Sequence, residues 1–307
     1  MSKLPDPEVK TLEARPDTVI YEFSSKNPPV MRACPGDVVI FETLDCFGGQ
    51  IQTEHDRYES VGWDRINPAT GPLYIEGAEV GDTLAVDITN LEITGPGTMI
   101  AVPDLGAAGD RISSSSTQIV PIKNGLAHFR TGIILETKPM IGVIGTAPAE
   151  GAVPTGTPGP HGGNMDTKVI GEGSTVYLPV EVPGALLAMG DLHALMGDGE
   201  VLVCGVEAAG RVTVSIRLLK GRSFPCPVVE TKGAYYAIWS AETLDEAAHE
   251  VVHRALDIMV SETGYPPEDC LALLSVKGNL QISQVVDPLK TVRMEMPKSI
   301  LRISGII

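Results

Sequence analysis

Glycine and proline break up this chain along its whole length, 33 and 24 of them in 307 residues, and leave almost no room for long helical periods. Between the breaks lie short runs, and the clearer ones alternate apolar with polar residues, the period of a half-buried strand. Arg211-Val212-Thr213-Val214-Ser215-Ile216-Arg217 puts Val212, Val214 and Ile216 on one face, and Asp82 to Ile88 behaves the same way. Further strands are expected at 18–23, 37–43, 118–122, 174–182 and 200–206. Pro35-Gly36-Asp37 and Val80-Gly81-Asp82-Thr83 read as turns that lead into strands.

One segment departs from this pattern. From Thr243 to Glu262, Leu244, Ala247, Ala248, Val251, Ala255, Ile258 and Met259 form a helical stripe. Thr243 with Glu246 makes a capping box, and Gly264 fits the stop. A second helix is expected over 266–275 and a strand near 280–286. The fold class is therefore mainly β, a sandwich- or barrel-like body with a C-terminal α+β portion. A β-rich region 1–160, a central β-rich region 161–230 and the α+β region 231–307 would form one intertwined unit.

The net charge of −16 argues against nucleic acid or an anionic membrane as partner, since both need a basic footprint. A small neutral or cationic ligand suits it better. No stretch approaches 18 uninterrupted apolar residues, and Met1 to Glu8 lack the apolar core of a secretory signal. Cys34, Cys46, Cys204, Cys226 and Cys270 are odd in number and contain no C-x-x-C pair, which suggests reduced thiols in the cytoplasm.

Chemistry concentrates in Gly190-Asp191-Leu192-His193-Ala194-Leu195-Met196-Gly197-Asp198-Gly199-Glu200. If the first half is extended, Asp191 and His193 share a face, and a turn at Gly197-Asp198-Gly199 would bring Glu200 back toward it. An acid, an imidazole and a third carboxylate can hold a cation and activate water beside it. The bland alternative is a polar hairpin tip. Upstream, the Pro/Gly-rich run 154–163 leads into Asn164-Met165-Asp166-Thr167-Lys168, and a strand there would put Asn164, Asp166 and Lys168 on one face.

Other motifs mislead. His249-Glu250-Val251-Val252-His253 matches the zinc-protease pattern, but both imidazoles fall opposite the apolar stripe and no third His follows at the required spacing. Ser113 to Ser116 reads as a polar loop, and Cys46 and Cys204 as small buried hydrophobes.

Five phrases in series resemble the acetamidase/formamidase family. They are Glu42-Thr43-Leu44-Asp45-Cys46-Phe47-Gly48-Gly49-Gln50, Asn67-Pro68-Ala69-Thr70-Gly71-Pro72 with Ile75-Glu76-Gly77-Ala78, His161-Gly162-Gly163-Asn164-Met165-Asp166, the 190–200 motif, and Ile282-Ser283-Gln284-Val285-Val286-Asp287-Pro288. Met196 stands where many members are expected to carry Gln. The resemblance implies hydrolysis of a short amide, formamide or acetamide in type, to carboxylate and ammonia, by a cytoplasmic homodimer or higher homo-oligomer.

For that reaction Asp191 and His193 are the expected ligands of a divalent metal, zinc first and calcium as the alternative, with His55 as third ligand. Glu200 is the expected proton shuttle; Asn164 and Asp166 would hold the amide, and Lys168 or His161 would stabilise the oxyanion. Two alternatives stay open: a nucleophilic Cys or Ser amidase, and a non-catalytic β-rich protein that binds a cation or small ligand.

Overall fold

The computed structural model describes residues 8–303. Two nine-stranded sheets dominate it. The first runs, in spatial order, Val9–Leu12, Val38–Thr43, Gly210–Leu219, Thr83–Ile93, Thr175–Pro179, Val228–Glu230, Ala234–Ala241, Lys290–Pro297 and Asn279–Gln284. The second runs Gly162–Asn164, Met140–Gly145, Leu187–His193, Glu207–Ala208, Gly97–Ala101 and Ser116–Val120. Ala69–Ile75 also pairs with Leu187–His193 and carries Val19–Ile20 and Met31–Ala33. Both sheets therefore draw strands from widely separated parts of the chain.

Alternation along the strands builds three layers. In Thr83–Ile93, Leu84, Val86 and Ile88 enter the core between the sheets, where they join Phe41, Val212, Val214 and Ile216 from one sheet and Leu73, Ile141, Ile144 and Met189 from the other. Burial of each large apolar side chain contributes roughly 1.5–3 kcal/mol. Ala85 and Tyr177 point the opposite way, toward a second core beneath the helices, with Val251, Ala255, Met259 and Leu274. A mainly β body with a C-terminal α+β portion is what results.

The long helix spans Leu244–Thr263, and the shorter one Pro267–Lys277. Thr243 stays extended while its hydroxyl accepts the Glu246 N–H at 3.2 Å, and Gly264 ends the helix at φ 69°. Thr243→Ala should therefore cost about 1 kcal/mol. In a domain of this size a thermal melt should read that as a drop of roughly 2–4 °C. An unchanged midpoint would remove the cap from the account of helix stability.

One expected strand is absent and another is cut short. Residues 201–206 form turns and irregular chain, because Glu200 and Val203 adopt positive φ (47° and 96°) and ladder pairing resumes only at Glu207. The strand through Asn164 stops there instead of continuing to Lys168, because Asp166 turns the chain at φ 38°. Nor does the Gly197-Asp198-Gly199 turn close a hairpin. Gly199 makes a parallel bridge to Gln284, donating to the Ser283 carbonyl at 2.9 Å.

Candidate active site

Strand Leu187–His193 lies fully buried between its neighbours. His193 at its end sits directly opposite Glu207 in the antiparallel ladder, so the two side chains emerge side by side. Asp191 precedes them at φ 55°, a left-handed conformation that interrupts regular strand geometry inside the sheet. Non-glycine residues held this way cluster at functional sites. Asp166 and Glu200 share the feature.

These elements converge on one atom. His193 Nε2 lies 3.2 Å from Glu207 Oε2, 3.5 Å from Asp166 Oδ1 and 3.6 Å from Asp191 Oδ1. Its other nitrogen, Nδ1, faces the Met196 sulfur at 3.3 Å, a weak acceptor. Asp166 Oδ1, Asp191 Oδ1, Glu200 Oε2, Glu207 Oε2 and Asn164 Oδ1 are all buried without a hydrogen-bond partner. Asn164 Nδ2 donates to Asp287 Oδ2 at 3.0 Å, and the Gln284 amide oxygen fixes the Asp287 loop by accepting its backbone N–H at 3.0 Å.

So many carboxylates cannot all be charged in a dry site without compensation. Among the described residues that line the cavity there is no lysine or arginine. Burial pushes Glu207 up to about 8 and Asp166 up to about 6. Burial, with Asp166 beside both, holds Glu200 and Asp287 well above the carboxylate range. Burial opposes charge on His193, but Glu207 and Asp191 outweigh it and hold the imidazole well above its ordinary value. The cluster demands either protons or a cation. Three overlapping triplets have the ligand spacing for one: Asp166, Asp191 and His193; His193, Glu200 and Glu207; and Cys46, Asp191 and Glu207.

Close approach of the backbone makes the cluster compact. A Cβ on Gly142 would lie 2.5 Å from Asp166 Oδ1 and 2.6 Å from Asp191 Oδ2, and one on Gly205 would lie 2.6 Å from His193 Nδ1. The cluster floors a cavity of about 880 Å³ that opens past the exposed Glu22 and Asp64.

Asp191, His193, Glu200, Asn164 and Asp166 thus line one cavity. Three other expected residues lie elsewhere. His55 occupies an exposed turn outside the lining, and the acid beside His193 is Glu207 instead. Lys168 pairs with Asp198 at 2.8 Å, and Asp198 also accepts from buried Arg293 at 2.8 Å. That network props the 197–200 turn from behind. The kink at Asp166 is what directs Lys168 there. His161 is buried edge-on against Phe23, ring centroids 5.0 Å apart, and is absent from the cavity lining. Burial pushes its imidazole down to about 4, so it is neutral.

Glu207 and Asp287 also line the cavity, though neither is among the site residues expected from the sequence. Glu207 did carry a signal, an acid set between Val206 and Ala208 in an apolar context. Cys46 and Cys204 are buried as expected, yet both line the cavity. Burial, reinforced by Glu207, keeps each thiol well above its ordinary pKa, which is the wrong direction for a nucleophile. His249 and His253 lie with ring centroids 4.4 Å apart, tilted at 41°, on the exposed face of the long helix.

The model of the Acetamidase/Formamidase family matches residues 10–154 and 149–303. A formamidase from Methylophilus methylotrophus is 28% identical over 344 aligned positions, covering 85% of this chain and 83% of that protein. A putative formamidase from Schizosaccharomyces pombe is 29% identical, and the match covers 60% of each chain. A crystal structure of an acetamidase from Bacillus halodurans is 47% identical and superposes with a TM-score of 0.92, covering 94% of this chain and 97% of that one.

Proposed function

The chain belongs to the acetamidase/formamidase family, whose reaction is hydrolysis of a short amide, and we propose that it performs this reaction at a divalent-cation site on His193. The observation that carries the reading is the convergence of unpartnered carboxylate oxygens on His193 Nε2. Asp191, His193 and Glu207 would hold the cation. A mixed imidazole and carboxylate set with Cys46 within reach favours zinc, while the surplus of hard oxygens keeps calcium as the alternative. Bound there, a cation would polarise the amide carbonyl and lower the pKa of water.

The remaining work falls to side chains of this protein. With a cation's charge beside it to favour its ionised form, Glu200 takes a proton from the attacking water and delivers it to nitrogen. The water oxygen bonds to the carbonyl carbon, the C–N bond breaks, and nitrogen leaves as ammonia. Asn164 Oδ1 and Asp166 Oδ1, both without partners, accept the substrate N–H groups and fix the plane of the amide. The fixed Asp287 loop holds Asn164 in place.

We further place the protein in the cytoplasm as a homodimer or higher homo-oligomer. Five unpaired cysteines support the first. Exposed Ile133, Ile134 and Leu135, at and just before the edge strand Ile134–Glu136, support the second. Among the described residues no helix is long and apolar enough to cross a membrane.

The test is ammonia release from formamide and acetamide by the purified protein, before and after chelation, with elemental analysis of the same samples. Release that disappears on chelation and returns with zinc is expected. Release indifferent to complete metal removal favours the nucleophilic alternative, and no release from any short amide with metal restored overturns the reading.

A further inference from the structure

The cavity has two unlike halves. Its floor is the carboxylate cluster, with Asp191 and His193 only 2% and 1% exposed. Its wall is apolar: Phe47, Tyr58, Ile66, Ile100, Leu105 and Val203 all line it, and all belong to one packed cluster. The apolar surface is therefore a continuous patch beside the floor.

Size sharpens the contrast. Formamide fills about the space of two or three waters, at roughly 30 Å³ each. A cavity of about 880 Å³ would leave such a substrate surrounded by water. Pockets of roughly 300–1,000 Å³ ordinarily take much larger ligands. Water around the floor would also weaken every electrostatic contact made there. An apolar group on the wall would displace that water.

Resting on the amide-hydrolase reading above, we propose that the preferred substrate is a primary amide with an uncharged apolar acyl group about the size of an aromatic ring. Its amide lies on the floor, and its acyl group covers the wall formed by Phe47, Tyr58, Ile100 and Leu105. An anionic acyl group is disfavoured, because the described lining offers acids and no lysine or arginine.

The experiment compares kcat/KM for formamide, acetamide, isobutyramide, phenylacetamide and succinamate with the metal-loaded enzyme. Each methylene buried should raise kcat/KM about fourfold. Phenylacetamide should therefore exceed acetamide by a hundredfold or more, and succinamate should fall below acetamide. Leu105→Trp, which narrows the wall at a half-buried position, should lower the phenylacetamide to formamide ratio at least tenfold. If formamide or acetamide is the best substrate and phenylacetamide is not turned over, the proposal is wrong while the amidase reading stands. Failure of every amide in the panel counts against that reading instead.

Discussion

His193→Ala should abolish both turnover and metal binding. Loss of a partner that merely supports a metal ligand costs about 10–100-fold. Loss of the central donor should cost more, roughly a thousandfold in kcat or beyond. This imidazole lies within 3.6 Å of three carboxylate oxygens and belongs to two of the three ligand triplets. Three measurements separate the readings. Elemental analysis should show bound metal falling in step with kcat. Added zinc should raise the melting temperature of the parent protein, because a ligand that binds the folded state stabilises it, and should not raise that of the variant. A thiol-modifying reagent should leave the parent rate unchanged if Cys46 and Cys204 are no nucleophiles. Full metal content with no turnover would move His193 from ligand to another role, and retained turnover without metal would revive the cysteine alternative.

Much of the frame is legible from local rules. Val212, Val214 and Ile216 alternate into the core, and the stripe from Leu244 to Met259 with its Thr243 cap becomes the long helix. Asp191 and His193 are on one strand, so spacing alone could bring them together. Glu207 and Asp287 depend on pairings that residue spacing does not give. One is set by the ladder opposite His193, the other by a loop that meets Asn164 from 123 residues away. The first pair lies 14 residues apart but is fixed by the ladder register and by no periodicity, and no local window contains the second. Lys168 lies off the cluster for a related reason. Nearness in sequence to an acidic motif says nothing once a residue such as Asp166 adopts positive φ and redirects the backbone. Local strain of this kind gathers at sites where function overrides regular geometry.

That strain has a testable counterpart in Gly142. It lies inside strand Met140–Gly145, opposite Asp191, at a negative φ that alanine can adopt. Its lack of a side chain leaves the space that Asp166 and Asp191 occupy together, since a Cβ there would stand 2.5 and 2.6 Å from their oxygens. Gly142→Ala should fold, because the backbone conformation is compatible and the two shortest clashes fall on side chains lining a cavity, with the Asp191 carbonyl oxygen next at 2.9 Å. The carboxylates must then move apart by a few tenths of an ångström or more. Displacements approaching 1 Å in a catalytic arrangement can cost about a hundredfold, and a loss of that order in kcat is expected, with weaker metal binding. Gly205→Ala should act similarly through His193, whose ring atoms lie 2.6–2.8 Å from the added carbon. Gly197→Ala is the control, since a Cβ there meets nothing within 4 Å although it lies in the same motif. If all three variants match the parent in kcat and metal content, the packed carboxylates are incidental to the chemistry. Loss confined to Gly142 and Gly205 places the reaction where those two backbones leave room for it.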